Sequence, residues 1–210
     1  MQPQPTDNLK PYFLTYQDLS GPIDWIEFFG NENRVEIDVG CGRGMFLVNV
    51  GLAHPETNYL GIEIDYREGR HAARRLKKRA MPNVRVLGGD ISIVFDTYLP
   101  PDSVSAVHVY FPDPWWKRKH RRRRVFTDRL VEQMLRIMIT GGHVHVWSDV
   151  GEYFGVICAL MDHHPRFEKL TPTAEHAPEH DLDYQTSYER KKRQSGETIF
   201  RGLWRLKEEA

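Results

Sequence analysis

Short apolar runs alternate with longer helical patterns through most of the chain, and this alternation constrains the fold more than any other feature. The apolar runs are Val35–Val39, Tyr59–Ile64, Val84–Leu87, Val104–Tyr110 and His143–Trp147. Between them the pattern predicts helices near residues 43–52, 66–80, 124–139 and 150–164. Strands and helices that alternate at this spacing form a mostly parallel sheet with helices on both faces. We therefore predict an α/β protein with a doubly wound sheet.

The ends of the chain add to this plan. Thr198–Leu206 is predicted as a final, antiparallel strand, and the Gly141-Gly142 pair as the turn from a helix into the fifth strand. Residues 1–33 are predicted to be an N-terminal tail and a cap segment, because prolines dominate the start and an apolar patch follows. Residues 34–210 are then one functional domain, a size that buries a single core.

Composition excludes several classes of protein. The two cysteines, Cys41 and Cys158, are too few for a disulfide scaffold or a Cys-based zinc site. No metal is expected elsewhere, since His143 and His145 have no carboxylate placed to complete a site. No apolar run approaches the roughly 20 residues of a membrane span, and the start of the chain shows no secretory signal. We expect a cytoplasmic protein without a membrane partner.

The formal net charge of zero conceals two basic tracts. Residues 67–79 and 117–124 together hold 14 of the 29 Lys and Arg residues but one of the 29 Asp and Glu residues. The rest of the chain is therefore acidic, and the tracts predict a surface that binds a polyanion. The alternative is that both tracts are ordinary solvated helix faces.

A glycine turn follows the first predicted strand. The sequence Asp38-Val-Gly40-Cys-Gly42-Arg-Gly44 allows a tight turn and a close approach of the backbone to a ligand. The dinucleotide fingerprint requires G-x-G-x-x-G, and its last glycine is replaced here by Met45. This departure argues against a nicotinamide or flavin dinucleotide.

Acidic residues at the ends of successive strands define the ligand more closely. Glu63 ends the second strand, where a carboxylate accepts both ribose hydroxyls of an adenosine, and Asp90 ends the third, within reach of an adenine amino group. Asp38 precedes the glycine turn, near the place of an amino-acid moiety. For Asp90 alone, helix capping is an open alternative. Together with Gly40, Gly42 and Gly44 these acids favour S-adenosylmethionine and a Rossmann-like class I methyltransferase fold.

The segment after the fourth strand carries the most specific motif. Phe111-Pro-Asp113-Pro-Trp-Trp-Lys117 continues into His120 and four arginines. Two prolines fix the backbone around Asp113, the aromatic residues can stack on a base, and the basic run suits phosphates. This segment resembles the hallmark F-P-D-P-W-x-K of the tRNA (guanine-N7-)-methyltransferase family. The resemblance covers roughly residues 34–206 and implies methylation of guanosine N7 in tRNA, at position 46 of the variable loop.

The resemblance also implies roles for individual residues. Asp38, Glu63 and Asp90 match cofactor contacts, and Asp113 matches the catalytic aspartate, which also faces the cofactor. Substrate contacts fall on Lys117, Asp149 and the late motif Thr186, Ser187, Tyr188 and Glu189. The arginines expected to hold tRNA phosphates are Arg121, Arg122, Arg123 and Arg124. The chain departs from the family where Ser148-Asp149-Val150 replaces the common Thr-Asp-Trp.

Two other functions remain open at this stage. An amino-group methyltransferase acting on another RNA or on protein would have the same fold, but such enzymes carry [N/D]-P-P-[Y/F] in place of Pro-Asp-Pro-Trp. A non-catalytic RNA-binding subunit would show a degenerate cofactor site, whereas the glycines and acids are all present. Nothing in the sequence requires a protein partner.

Overall fold

The computed structural model describes residues 8–172 and 186–209, apart from the side chains of Arg121 and Ser187. Residues 1–7, which belong to the predicted tail and cap segment, lie outside the described part, as do residues 173–185 and 210. The strands are β1 Phe13–Thr15, β2 Val35–Val39, β3 Asn58–Glu63, β4 Val84–Gly88, β5 Val104–Tyr110, β6 Met138–Ser148, β7 Phe167–Leu170 and β8 Phe200–Leu206. They form one sheet with the order β1-β4-β3-β2-β5-β6-β8-β7.

The helices connect these strands. They are α1 Trp25–Phe29, α2 Met45–Ala53, α3 Tyr66–Lys78, α4 Ile91–Ile93, α5 Asp128–Ile137, α6 Gly151–His163 and α7 Ser187–Gln194. A π-helical turn, Val94–Tyr98, extends α4, and two 3-10 segments cover Tyr16–Asp18 and Arg118–Arg123. In the described part of the chain, no helix combines the length and the apolar character needed to cross a bilayer.

The sheet confirms the predicted α/β class. β1 to β6 pair in parallel, and β8 pairs antiparallel with both β6 and β7. From β2 the chain builds outward to β3 and β4, then returns to place β5 and β6 on the other side. The strand order therefore reverses between β2 and β5. In open parallel sheets the ligand crevice lies at the carboxyl ends of the strands at such a reversal.

Two strands were not predicted from the sequence. β1 is three residues long and pairs with β4, and β7 pairs with β8 at the opposite edge. The domain boundary at residue 34 stays a prediction. β1 precedes this boundary in the chain but belongs to the same sheet as the later strands. Leu9 belongs to the predicted tail, but its side chain is buried in the core.

The predicted start of the fifth strand is wrong. The predicted fifth strand is β6, which begins at Met138 directly after α5 ends at Ile137. Met138 already pairs with Val104 of β5. The register then shifts so that His143 faces Ala106, and the intervening residues form a bulge that includes Gly141 at φ +82°. The glycine pair therefore lies inside an irregular strand, because a bulge needs the same backbone freedom as a turn.

Packing on both faces fixes the sheet in place. Leu47 of α2 and Leu76 of α3 are fully buried in one cluster with Val84 of β4. Met134 of α5 and Ile157 of α6 are fully buried in a second cluster with the central strands. Burial at this scale contributes about 1.5–3 kcal/mol for each large apolar side chain. The carboxyl ends of β2 and β5 are thus held rigidly as the floor of a cavity.

Candidate active site

One cavity of about 560 Å³ opens at the carboxyl ends of β2 and β5. This volume lies within the range typical of small-molecule sites. Predicted site residues that line it are Asp38, Gly40, Gly42, Gly44, Asp113, Asp149, Thr186 and Tyr188. The structure thus brings together residues from the glycine turn, the segment after β5, the end of β6 and the start of α7.

The glycine turn has a conformation that only glycine adopts easily. Gly40, Gly42 and Gly44 have φ values of +73°, +51° and +69°. At Gly44 space is also limiting, since an added Cβ would lie 2.7 Å from the Cβ of Ala72 in α3. Gly40 N–H donates to the Ile62 carbonyl at 2.9 Å, which ties the turn to β3. The turn therefore exposes backbone to the cavity while α2 and α3 pack closely behind it.

Glu63 at the end of β3 braces this turn. Its carboxylate accepts hydrogen bonds from Gly42 N–H at 2.8 Å and from Asp65 N–H at 2.9 Å. The residue is nearly buried, with 9% of its surface exposed, and it does not line the cavity. Each oxygen accepts one backbone hydrogen bond and keeps a further acceptor position for other donors.

Asp38 is the most perturbed acid of the site. It is 4% exposed at the end of β2 and lines the cavity. Burial, together with the negative charge of the nearby Glu63 carboxylate, raises the pKa of Asp38 to about 8. A buried carboxylate of this kind is stabilised in its charged form when a cation comes next to it. The site therefore favours a cationic ligand.

Asp90 at the end of β4 caps a helix. Its carboxylate accepts a hydrogen bond from Ser92 N–H at 2.8 Å, at the start of α4. The preceding Gly89 N–H donates to the Glu63 carbonyl at 3.0 Å, so Asp90 stays close to the end of β3. The capping alternative is thus present in the structure, and a cofactor contact by Asp90 stays a prediction.

The segment after β5 projects a carboxylate into the cavity. Phe111 and Trp115 have φ values of +52° and +41°, and Phe111 N–H donates to the Trp147 carbonyl at 2.8 Å. Between them Asp113 is exposed and lines the cavity, as does Trp116, which is 52% exposed. Lys117 follows directly and is exposed outside the cavity lining.

Helix α7 closes one side of the cavity. Thr186 caps it by accepting a hydrogen bond from Glu189 N–H at 2.9 Å, and the Tyr188 ring lies 4.9 Å from the Phe111 ring. The Tyr188 hydroxyl donates to Asp149 at 3.3 Å, and Lys192 lies 2.9 Å from the same carboxylate. These contacts place Thr186, Tyr188 and Asp149 side by side.

Glu189 has a different environment from the other residues of its motif. It is 3% exposed and pairs with Arg193 at 2.9 Å and Arg201 at 3.2 Å. The Arg201 pair joins α7 to β8, and the Arg193 pair lies within α7. A substrate contact by Glu189 stays a prediction, and the side chain of Ser187 lies outside the described residues.

The basic tract after the motif is not uniform. Arg122 and Arg123 are both exposed, and the Arg123 guanidinium lies 5.2 Å over the Trp115 ring. Arg124 points inward and donates its Nε–H to the Pro114 carbonyl at 2.8 Å. The side chain of Arg121 is outside the described residues. Contacts between these arginines and phosphates stay predictions.

Two residues that the sequence pattern does not predict form part of the cavity wall. Tyr110 and Phe46 line the cavity, and the Tyr110 hydroxyl lies 2.9 Å from Nδ1 of His108. Nε2 of His108 lies 2.8 Å from the Glu36 carboxylate, so a buried chain of polar groups holds the tyrosine. Burial and Asp38 raise the pKa of Tyr110 well above its usual value. An alternating strand pattern gives no signal for such a contact, because these positions look like ordinary core.

Within residues 8–172 and 186–209, no three His, Cys, Asp or Glu side chains lie close enough together to form a metal site. His145 stacks on His108 at 4.8 Å, and burial lowers its pKa to about 3. His145 is therefore packed as a neutral ring.

Comparison with known proteins identifies relatives over most of the chain. A family described as "Putative methyltransferase" matches residues 32–202. A tRNA (guanine-N(7)-)-methyltransferase of Rhodopirellula baltica is 37% identical over 97% of this chain and 78% of its own length. One from Hydrogenovibrio crunogenus is 32% identical over 95% of this chain and 81% of its own length.

Solved structures share the fold at low sequence identity. The 16S rRNA methyltransferase KamB superimposes with a TM-score of 0.62 at 15% identity, over 87% of this chain and 93% of its own. A SAM-dependent O-methyltransferase of Thermotoga maritima gives a TM-score of 0.57 at 15% identity, over 90% of this chain and 68% of its own. These likenesses establish the class I methyltransferase fold.

Proposed function

The chain belongs to the tRNA (guanine-N(7)-)-methyltransferase family, and we propose that its cavity transfers a methyl group from S-adenosylmethionine to N7 of a guanosine in tRNA. The observation that carries the proposal is that one cavity contains the buried Asp38, the glycine turn and the exposed Asp113. The acid favours a cation on one side, and the motif carboxylate faces the space where a base can enter.

The described residues fit the cofactor. S-adenosylmethionine carries an ammonium and a sulfonium group, and Asp38 is a buried carboxylate that a nearby cation would stabilise. Glu63 keeps acceptor positions for the ribose hydroxyls, and Ile64 beside it is 69% exposed, which suits contact with the adenine ring. Asp90 would accept from the adenine amino group, and Gly40, Gly42 and Gly44 let the backbone approach the ligand. When bound, the cofactor supplies an electrophilic methyl group.

The chemistry requires positioning more than proton transfer. Guanine N7 has a lone pair and no proton, so no side chain has to act as a general base. The residues of the cavity raise the rate by aligning the base with the methyl donor and excluding water. Asp113 accepts hydrogen bonds from guanine N1–H and its amino group in this proposal. Its negative charge also stabilises the positive charge that develops on the ring.

Residues around Asp113 would hold the guanine. Trp116 offers an exposed ring for stacking, and aromatic stacking contributes about 1–3 kcal/mol for each base. Asp149, Thr186 and Tyr188 line the cavity and would contact the nucleotide from the α7 side. Lys117 lies next to the aromatic pair and would touch the same nucleotide.

The tRNA would bind along the exposed basic residues. The target base has to leave its stack, which costs a few kcal/mol, and phosphate contacts offset this cost. Arg122 is exposed in one tract, and Arg67, Arg75 and Lys78 are exposed on α3 in the other. The enzyme would act in the cytoplasm, where tRNA is modified, and no partner subunit is part of the proposal.

The proposal is tested by incubating the protein with unmodified tRNA and methyl-labelled S-adenosylmethionine. Mass spectrometry of the digested nucleosides should find the label in 7-methylguanosine, and the Asp113→Ala variant should give little of it. Label in an N-methylated adenosine, or in protein, would instead identify an amino-group methyltransferase. Absence of label from every nucleoside, with cofactor bound, would identify a non-catalytic RNA-binding protein.

A further inference from the structure

Arg124 is the last residue of the basic tract, but its side chain turns away from the surface. Its Nε–H donates to the Pro114 carbonyl at 2.8 Å, and its guanidinium lies 4.7 Å over the Tyr153 ring. The residue is half-buried, whereas Arg122 two positions earlier is exposed. Two neighbours of identical chemistry are thus placed in opposite surroundings.

The two contacts of Arg124 join a rigid element to the motif segment. Tyr153 belongs to α6 and is 1% exposed within the core. Pro114 directly follows Asp113, which lines the cavity. The guanidinium therefore connects the packed surface of α6 to the backbone beside the carboxylate that faces the cavity.

The segment needs such an anchor. Phe111 and Trp115 have positive φ values, a conformation that side chains other than glycine adopt with strain. A strained backbone persists only when surrounding contacts hold it. Asp113 is exposed, so its position depends on the backbone on either side. A hydrogen bond to the next carbonyl restrains that backbone directly.

We propose that Arg124 is a positioning residue that holds the Asp113–Pro114 backbone against α6 and takes no part in binding phosphates. The inference rests on the proposed methyl transfer to guanosine. Its physical basis is that one planar group donates a hydrogen bond along its edge while its face stacks on an aromatic ring. Lysine is a point charge on a flexible stem and cannot make both contacts in this geometry.

The test compares Arg124→Ala and Arg124→Lys with Arg122→Ala, a matched loss of one exposed charge in the same tract. Thermal unfolding first establishes that each variant is folded. Steady-state kinetics with tRNA then give kcat and KM, and tRNA binding measured over a range of salt concentrations gives the salt slope. Trypsin cleavage after Lys117, Arg118 and Lys119, bonds that all variants share, reports on the order of the segment without requiring activity.

A restraint on Asp113 predicts a specific pattern. Both Arg124 variants should lower kcat, by about 10²-fold for alanine, because misplacing a reacting group by about 1 Å has an effect of that size. They should leave the salt slope of tRNA binding unchanged and speed cleavage of the segment. Arg122→Ala should instead reduce the salt slope by roughly 0.7–0.9 for one lost phosphate contact, while cleavage of the segment stays at the parental rate.

Two results would overturn the inference. One is an Arg124→Ala variant whose salt slope falls as in Arg122→Ala while kcat and cleavage stay at parental values. The second result is an Arg124→Lys variant with parental kcat and a parental rate of cleavage. It decides the question if the alanine variant does not fold. A parent protein that binds tRNA but methylates no guanosine would refute the proposed function instead, and the cleavage comparison would still decide whether Arg124 restrains the segment.

Discussion

Asp38 should make cofactor binding depend on pH in a direction that its burial fixes. The raised pKa of about 8 means that the carboxyl is protonated in the free protein at pH 6. An ammonium or sulfonium group beside it favours the charged form, so binding should release a proton. Affinity for S-adenosylmethionine should therefore increase as the pH rises toward 8.

The magnitude follows from the same pKa. Below pH 8 the charged fraction of Asp38 falls tenfold for each pH unit, so affinity should rise about 100-fold between pH 5.5 and 7.5, or about 2.7 kcal/mol. The upper limit of this window keeps the cofactor's amino group protonated, because an α-amino group titrates near 7.7–8.0. Asp38→Asn should bind weakly and lose the dependence.

Calorimetry in two buffers of different ionisation enthalpy measures both quantities. The parent should release close to one proton for each cofactor bound at pH 6, and Asp38→Asn should release none. Asp24→Asn is the matched control, since Asp24 is an exposed helix cap outside the cavity lining and asparagine also caps helices. An affinity of the parent that is flat between pH 5.5 and 7.5 would refute the argument.

The same shift has a consequence for the stability of the free protein. The pKa of Asp38 is raised in the folded state because its charged form is unfavourable there. The free energy of unfolding therefore decreases as the pH rises from about 4 toward 8. Asp38→Asn should therefore be more stable than the parent at pH 8 and gain little at pH 4. Denaturant unfolding at the two pH values checks this sign.

Three further predictions concern the rest of the site. Glu63→Ala should weaken cofactor binding by about 2–3 kcal/mol, which is the usual loss for a hydrogen bond to a charged group. If calorimetry finds unchanged affinity in a folded variant, the ribose contact is excluded. Asp113→Ala should keep cofactor affinity and lower the methylation rate by ~10² or more. Near-normal turnover of the variant would contradict the role of Asp113. Gly44→Ala should lower the free energy of unfolding by about 1–3 kcal/mol, because φ at this position is +69° and the new Cβ would lie 2.7 Å from the Cβ of Ala72. Denaturant unfolding measures this loss. A variant as stable as the parent would show that α2 and α3 can move apart.

The sequence by itself determined the fold class, and it predicted eight of the residues that line the cavity. Short apolar runs and helical patterns are local, and five runs with their intervening helices correspond to strands and helices in the structure. Parallel strands present their carboxyl ends at one edge, so residues that end successive strands, such as Asp38 and Glu63, were expected to lie close together. The glycine spacing and the Pro-Asp-Pro motif are likewise local features, because they reflect backbone conformations that few residues adopt.

Only the tertiary structure decided what depends on neighbours distant in the chain. The three residues of β1 form a strand because β4 offers a free edge, and a pattern of that length carries no period of its own. The pKa of Asp38 depends on how completely other elements cover it. Arg122 and Arg124 are the same residue two positions apart, and whether each faces solvent or the Pro114 carbonyl is set by the position of α6. Burial and pairing are properties of the packed molecule, and a local sequence pattern does not contain them.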